Sequence, residues 1–282
     1  MFIDTHAHIQ FDAYKTDRDA VVARCQEKGL ILNIVGTQKD TSKRAVEMAE
    51  SYDHMYASIG THPIHLHSTH VDEEESSFLS REESFDEAYY EQLVKSPKVI
   101  GIGECGLDLY HVPKEKSKQE VLEKQRTVFL SHVEFAYKHN LPLVIHCRDA
   151  HDEMIDLLRS LNREIRGTVH CYTSNWKHAE QYLDMGLYLG FTGVVTFPPK
   201  KLDPAPQLGL LETLERMPLD RIVVETDSPY LAAQAYRGTR AEPWMVEEVV
   251  KKIALTRRLS VEKMNEIIVQ NTLRLFDRIQ IV

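Results

Sequence analysis

The sequence predicts one α/β domain over residues 1–282, folded as a single (β/α)8 TIM barrel with an extra C-terminal helix. Three observations lead to this prediction. Strand-like and helix-like segments alternate eight times along the chain. Most of the strand-like segments are continuous apolar runs, which is typical of parallel strands covered by helices. A length of 282 residues with 43% hydrophobic content suits one such barrel.

The elements follow one another in a regular order. Strands are predicted at residues 2–9, 30–37, 55–63, 99–108, 142–149, 167–173, 188–197 and 221–231. Helices with apolar spacing near 3.6 are predicted at residues 18–28, 42–51, 85–95, 120–140, 152–161, 177–185, 207–217 and 244–256. The extra helix begins at Ser260 in a partial capping box, and we expect it to close the bottom or flank of the barrel.

Acidic residues are concentrated in one segment after the third strand. Residues 72–91 contain nine acidic residues and one arginine, so the rest of the chain is close to neutral despite a net charge of −9. The charge balance therefore decides little about the substrate. The segment must project from the face where the βα loops gather, as a lid or as a solvated spacer.

Membrane and export signals are missing from the sequence. No run approaches the ~18 consecutive apolar residues of a membrane span, and the first strand follows Met1 directly. We therefore expect a cytoplasmic protein, or a nuclear one in a eukaryote, without membrane association. No obligate protein partner is evident.

The four cysteines are Cys25, Cys105, Cys147 and Cys171, and none of them forms a C-x-x-C pair. Three directly follow a polar residue of a strand end, so strand alternation should turn their thiols toward the surrounding helices. We expect reduced cysteines with a packing role.

Metal-ligating residue types stand at the carboxyl ends of five predicted strands, where barrel enzymes carry their active sites. The first strand ends in His6-Ala7-His8, whose imidazoles can face one ion because alternate residues of a strand point the same way. That pattern is weak alone, since it also occurs in polar strand ends. Four later residues strengthen it, and these are Glu104, His146, His170 and Asp227.

Seven motifs in this order resemble those of the TatD family of metal-dependent deoxyribonucleases, within the amidohydrolase superfamily. The resemblance runs from residue 1 to about residue 275 and implies a barrel hydrolase that cuts DNA phosphodiester bonds, often from a 3′ end. The motifs are His6-Ala-His8, Gly60-Thr-His62-Pro63, Gly103-Glu104-Cys-Gly106-Leu-Asp108, Ile145-His146-Cys-Arg148-Asp149-Ala150, His170-Cys-Tyr-Thr-Ser174, Gly193-Val-Val-Thr-Phe197 and Glu225-Thr-Asp227-Ser-Pro229-Tyr230-Leu231.

The resemblance also implies a centre of two divalent metal ions. His6, His8 and Asp227 would hold one ion, and Glu104 would bridge it to a second ion on His146 and His170. A carboxylate suits the bridge because its two oxygens can ligate ions ~3.5–4 Å apart. Zinc, manganese and magnesium all remain possible.

Asp227 and Glu104 are the predicted catalytic residues. Asp227 could accept the proton of the water that attacks phosphorus, although an aspartate before Ser228-Pro229 could also be a cap. Asp4 and Glu225 lie two residues before ligands, and they could orient the ligand histidines or pair with buried cations.

Four further residues are predicted to hold the phosphate and its neighbours, because a phosphodiester needs donors besides the metals. They are His62, Arg148, Arg237 and Tyr110. The nearby His65, His67 and His70 are expected to be exposed loop residues. The sequence departs from the family pattern at Tyr236 and Ala241, where the family commonly has His and Asn, so the contacts that set substrate preference are open.

DNA is therefore the expected substrate, with other nucleic acids possible. Two alternatives stay open, because one fold hosts many chemistries. The first is a hydrolase of a small ester, amide or phosphoester, or of an aminoacyl-tRNA ester. The second is a non-catalytic protein that keeps the metals for structure.

Overall fold

A computed structural model describes residues 1–67 and 82–281 of the chain, and the predicted barrel is confirmed in it. Eight parallel strands form one sheet in the order β1 to β8. The strands are Ile3–Ala7 (β1), Ile31–Val35 (β2), Met55–Ile59 (β3), Val99–Asp108 (β4), Leu143–Arg148 (β5), Gly167–Val169 (β6), Tyr188–Phe191 (β7) and Ile222–Val224 (β8).

Helices alternate with the strands on the outside of the sheet. They are Arg18–Glu27 (α1), Lys39–Ser51 (α2), Glu87–Leu93 (α3), Lys118–His139 (α4), His151–Ser160 (α5), Trp176–Asp184 (α6), Ala205–Arg216 (α7), Val246–Arg257 (α8) and Val261–Leu275 (α9). One large apolar cluster fills the layer between the strands and the helices.

The barrel closes between β1 and the segment that follows β8. The Asp227 N–H donates to the His6 carbonyl at 2.9 Å, and the His8 N–H donates to the Ser228 carbonyl at 2.8 Å. The buried Asp4 carboxylate adds a third link, because it accepts hydrogen bonds from the backbone and hydroxyl of Thr226. Closure of the barrel therefore fixes the distance between three predicted metal ligands.

Every strand except β4 is shorter than predicted, and four strands end at least four residues early. β6 ends at Val169, β3 ends at Ile59, β7 ends at Phe191 and β8 ends at Val224. The apolar continuations of β3, β7 and β8 form buried turns at the carboxyl face. One of them is a 3-10 turn at Gly193–Thr196, in which the Val194 N–H donates to the Thr192 hydroxyl. Apolar sequence alone cannot separate a strand end from such a buried turn.

The amino-terminal end of the barrel is closed by α9, as predicted. Residues from the starts of the strands form a small apolar cluster with Leu275, Phe276 and Ile279. The Ser260 hydroxyl caps α9 by accepting the Lys263 N–H at 3.1 Å. The fully buried Asn271 amide donates to the carbonyls of Leu219 and Ile222 at 2.7 and 2.8 Å, which ties α9 to the start of β8.

Only part of the acidic segment lies within the described residues, since residues 72–81 fall outside them. The remaining part includes α3, which is held by ion pairs of Lys39 with Asp86 and of Lys138 with Glu87, both at 2.8 Å. This part is fixed against α2 and α4, so it is not a solvated spacer. In the described ranges no helix is long and apolar enough to cross a membrane.

Replacing Asn271 by leucine should destabilise the barrel without changing side-chain size much. Asn271→Leu leaves two buried carbonyls without their donor, so the free energy of unfolding should fall by about 2–4 kcal/mol. Urea denaturation measures this change. Gln270→Leu is the matched control on the exposed face of α9, and it should change stability by less than ~0.5 kcal/mol. Equal effects of the two substitutions would contradict the proposed tie.

Candidate metal centre

The six predicted ligands meet at the carboxyl face of the barrel. His6, Glu104 and His146 lie within β1, β4 and β5, whereas the other three stand just beyond strand ends. His8 follows β1, His170 follows β6, and Asp227 lies in the turn after β8. Asp227 has φ 57°, a left-handed conformation that aspartate tolerates better than most residues.

Four of these side chains surround one point. The Nε2 atoms of His6 and His8 are 3.1 Å apart. Glu104 Oε2 lies 3.3 Å from His6 Nε2, and Asp227 Oδ1 lies 3.4 Å from His8 Nε2. The two remaining nitrogen–oxygen distances are 3.7 and 3.8 Å. All these donor atoms therefore face the same small space.

A second group surrounds the other oxygen of Glu104. Its Oε1 lies 2.8 Å from His146 Nδ1, 3.0 Å from His170 Nε2 and 3.3 Å from His62 Nε2. Glu104 is 3% exposed, so the charge of this carboxylate is almost out of contact with solvent. The two oxygens of one side chain thus join the two groups.

Oxygen acceptors lie on the outer side of three imidazoles. His8 Nδ1 donates to the Val35 carbonyl at 2.7 Å, His146 Nε2 faces Asp108 Oδ2 at 3.1 Å, and His170 Nδ1 faces Glu225 Oε1 at 3.2 Å. The carbonyl only accepts, so the proton of a neutral His8 ring is on Nδ1 and its lone pair is on the inner Nε2. A proton held by the outer carboxylate would leave the inner nitrogens of His146 and His170 free to ligate a metal in the same way.

His62 has the opposite arrangement. Its Nδ1 accepts a hydrogen bond from the Ile64 N–H at 3.2 Å, which places the proton of the neutral ring on Nε2. Burial lowers the pKa of His62 to about 4, and the nearby His146 adds to this shift. His62 is therefore a neutral hydrogen-bond donor toward Glu104, unlike His8, whose neutral ring has its lone pair on the inner nitrogen.

The electrostatics of the centre favour positive charge. Burial alone would raise the pKa of Glu104, but the imidazoles of His62, His170 and His6 outweigh it and hold that pKa well below its usual range. Burial opposes charge on His170 as well, yet Glu104 and Glu225 raise its pKa well above the ordinary value. The buried carboxylates thus create a field that stabilises a cation.

These residues fit a divalent metal ion. Ligand bonds of 2.0–2.2 Å in a tetrahedral site separate neighbouring donor atoms by roughly 3.3–3.6 Å, and the distances of 3.1–3.8 Å in the first group bracket this value. An imidazole lone pair and a carboxylate oxygen that face each other repel unless a cation or a proton lies between them. Mixed imidazole and carboxylate donors suit zinc or manganese.

Two glycines allow the close packing behind the centre. A Cβ on Gly106, whose φ is 155°, would lie 1.9 Å from the carbonyl oxygen of His146. At Gly190 a Cβ would lie 2.7 Å from a carboxylate oxygen of Glu225. Any side chain at these two positions would displace His146 or Glu225.

The two carboxylates expected behind the ligands have different contacts. Glu225 faces His170 Nδ1 and accepts the Cys171 N–H and the Thr5 hydroxyl. Asp4 instead accepts the backbone N–H of His6 at 3.1 Å and the two Thr226 donors. Glu225 is therefore placed to orient an imidazole, whereas Asp4 fixes the backbone that carries a ligand.

A cavity of about 700 Å³ opens above the predicted ligands. His62 and Arg148 line it, as do His8, Glu104, His146, His170 and Asp227. Tyr110 is exposed and lies under the guanidinium of Arg148. Arg237 occupies an exposed turn farther along the chain, where its guanidinium is 4.7 Å from the ring of Phe197. The phosphate-binding roles of these four residues stay predictions.

Asp108 is a site residue for which no role was predicted from the sequence. Its carboxylate contacts His146 and His111 and accepts the N–H groups of Tyr110 and His111. Burial would raise the pKa of Asp108, but the hydrogen bonds from His111 and His146 lower it below its usual range. The strand pattern could have indicated this role, because residues 104 and 108 lie on the same face of a strand by alternation.

Some expectations about individual residues are wrong. His65 and His67 are buried rather than exposed, and His70 lies outside the described residues. Cys25, Cys105 and Cys147 are buried and free, whereas Cys171 is half-buried, because its φ of 45° breaks the strand alternation. Cys147 and Cys171 both line the cavity. The sequence departs from the family pattern at Tyr236 and Ala241. Tyr236 packs edge-on against Trp244, and Ala241 is buried.

Comparison with known proteins gives one family. A family model described as "TatD related DNase" matches residues 3–277. A metal-dependent hydrolase of Bacillus subtilis, YabD, whose name calls it uncharacterized, is 36% identical over 98% of this chain and 99% of its own length. A protein of Klebsiella pneumoniae named 3′-5′ ssDNA/RNA exonuclease TatD is 30% identical over 90% of this chain and 89% of its own.

Solved structures give the same result. The crystal structure of YjjV, a TatD homologue from Escherichia coli K12, superposes with a TM-score of 0.80 at 25% identity and covers 98% of both chains. A TatD-family hydrolase from Entamoeba histolytica superposes with a TM-score of 0.76 at 21% identity, over 99% of this chain and 98% of its own, which supports the fold.

Glu225→Gln should weaken metal binding about 10–100-fold, because the outer partner of a ligand imidazole sets its orientation and basicity. Titration of the metal-free protein with Mn²⁺ or Zn²⁺ measures the affinity. Glu164→Gln on the exposed surface is the matched control and should bind as the parent protein does. Unchanged affinity in Glu225→Gln would show that the carboxylate does not support His170.

A buried histidine on α4 gives a pH prediction for stability. His132 Nε2 accepts the N–H of Thr61, the residue before His62, and Nδ1 donates to the Val128 carbonyl. Burial lowers the pKa of His132 to about 4, although the bond to Val128 opposes this shift. The folded state therefore stays unprotonated here at pH values where the unfolded chain, with a pKa near 6.5, takes up a proton.

Stability should consequently fall as the pH drops below 6.5 toward 4, because only the unfolded state gains the proton. For His132 this loss is about 2 kcal/mol between pH 7.5 and 5. His132→Gln keeps both hydrogen bonds without titrating, so its free energy of unfolding should decline by about that much less. Denaturation curves at both pH values test this, and parallel declines would rule out the assigned role of His132.

Proposed function

The chain belongs to the family of TatD-related DNases, and from this membership and its metal centre we propose that it is an exonuclease that removes nucleotides from the 3′ end of single-stranded nucleic acid. The supporting observation is Glu104, whose two oxygens join two groups of imidazoles. Family and relatives together make the chain a metal-dependent hydrolase of ester bonds.

We assign two divalent ions to this centre. His6, His8 and Asp227 with Glu104 Oε2 would hold one ion, and Glu104 Oε1 with His146 and His170 would hold the other. When bound, the ions would supply Lewis acidity toward the phosphodiester and lower the pKa of the attacking water. The opposite tautomer of His62 supports its role as a donor to a phosphate oxygen rather than as a ligand.

Asp227 is the best-placed proton acceptor. Its side chain is 16% exposed, against 5% for Glu104, and it lines the cavity. Burial would raise the pKa of Asp227, but the hydrogen bond to His8 and the charges of the surrounding imidazoles lower it. Asp227 is therefore ionised at neutral pH and can take the proton from the water that attacks phosphorus.

The depth of the centre favours a strand end as substrate. His6 is completely buried, and His8, Glu104 and His170 are at most 4% exposed. A scissile phosphate must enter the cavity to reach these residues, which the flexible end of a single strand can do more easily than the middle of a duplex. Arg148, at the cavity wall, offers a planar set of donors to the phosphate.

The proposed 3′-to-5′ direction of cleavage is supported by the names of two relatives. The Klebsiella pneumoniae protein carries the activity of a 3′-5′ ssDNA/RNA exonuclease in its name, and a Salmonella typhimurium relative that is 30% identical carries the same name. We therefore propose both single-stranded DNA and single-stranded RNA as substrates.

Metal removal and the loss of Glu104 should both abolish this activity. Protein treated with EDTA should leave a 5′-labelled single strand intact, and Mn²⁺, Zn²⁺ or Mg²⁺ added back separately should restore stepwise shortening. Glu104→Gln should reduce the rate more than about 100-fold in every metal, because even the loss of a residue behind a ligand costs up to that factor. Glu164→Gln again serves as the matched exposed control.

Metal analysis of the same samples separates two causes of inactivity. The parent protein should hold two ions per chain, and Glu104→Gln should hold fewer. If the fully loaded parent protein leaves all nucleic acids intact, the nuclease proposal is wrong. Hydrolysis of a small ester or of an aminoacyl-tRNA by that sample would then assign the site to the other substrate class.

A further inference from the structure

We propose that Tyr110 is a stacking platform for a nucleobase beside the metal centre. The base next to the scissile phosphate would pack against the exposed part of the Tyr110 ring. The inference rests on the proposed function, and it adds the part of the substrate that this residue binds. It also differs from the prediction from sequence, in which Tyr110 helps to hold the phosphate and its neighbours.

One face of this ring is already covered. The guanidinium of Arg148 lies 3.8 Å from the centroid of the Tyr110 ring. The His111 ring lies nearly perpendicular to it, with the two centroids 4.8 Å apart. Tyr110 is nevertheless 59% exposed, so much of its side chain remains accessible to a base. Every base has an aromatic face, and stacking on an exposed tyrosine binds single strands without reading their sequence.

The ring is held at a fixed position relative to the metal ligands. Asp108 accepts the N–H groups of Tyr110 and His111 at 2.9 and 2.8 Å, and its Oδ2 lies 3.1 Å from His146 Nε2. The Leu109 N–H also donates to the Arg148 carbonyl at 2.9 Å. A platform fixed in this way loses little conformational entropy when a base stacks on it.

Arg148 connects the platform to the cavity. It uses the face of its guanidinium on Tyr110, which leaves the N–H groups at the edge free for a phosphate oxygen. A nucleotide whose phosphate meets this edge would carry its base toward the neighbouring ring. The backbone and the base of one strand thus find donors and a stacking surface on adjacent side chains.

The test compares binding of strands with and without bases. Metal-loaded protein is titrated into labelled single strands with phosphorothioate links, which resist hydrolysis, and fluorescence anisotropy gives the affinity. One strand carries thymine throughout, and the other is abasic at its three 3′-terminal positions. The Kd of Tyr110→Leu for the thymine strand should rise about tenfold, and its Kd for the abasic strand should change by less than twofold.

Two variants serve as controls. Tyr110→Phe keeps the ring and should retain the parent affinity, whereas a role of the hydroxyl in phosphate binding would make it as weak as Tyr110→Leu. Tyr137→Leu removes a matched stack, in which Arg163 lies 4.0 Å from a ring that is 42% exposed. That stack is at the C-terminal end of α4, on the face of the barrel opposite the cavity. The Kd values of Tyr137→Leu for both strands should therefore match those of the parent protein.

The outcomes are distinct. Equal weakening for both strands in Tyr110→Leu would mean that Tyr110 only positions Arg148 and would overturn the inference. Parent-like affinity in Tyr110→Leu would overturn it as well. If the parent protein binds and shortens single strands but Tyr110→Leu has the parent's ratio of Kd values for the abasic and thymine strands, only this inference fails. If the parent protein neither binds nor shortens any strand, the proposed function fails and the inference fails with it.

Discussion

The buried charge of Glu104 is the constraint on which this centre depends. A carboxylate that is 3% exposed costs free energy unless positive charge neutralises it, and each of its oxygens is faced by imidazole nitrogens. Val35, Asp108 and Glu225 place acceptor oxygens on the outer side of three neighbouring rings. A proton held on that side leaves the inner nitrogen free to ligate a cation, and a cation bound there would neutralise the carboxylate.

The barrel supplies the rigidity that this arrangement needs. Hydrogen bonds at the junction of β1 with the turn after β8 close the sheet and also fix His6, His8 and Asp227. On the other side, Gly106 allows β4 to approach His146 closely. Stability and ligand geometry therefore depend on the same backbone contacts, and substitutions at the closure should affect both together.

Much of the architecture could be predicted from sequence, because continuous apolar runs separated by amphipathic segments identify each βα unit. The convergence of His6, Glu104 and His170 followed from the rule that parallel strands end on one face. What could not be predicted depends on contacts between distant segments. The tautomer of His62 is set by the Ile64 N–H, and the burial of His65 and His67 and the turn at Cys171 are set by neighbours that local patterns do not show.

Anomalous diffraction from crystals grown with Mn²⁺ or Zn²⁺ tests the bridging role of Glu104 most directly. We expect two strong peaks at the carboxyl face, about 3.5–4 Å apart and one beside each oxygen of Glu104. A single peak, or peaks away from Glu104, would contradict the bridging role of this carboxylate.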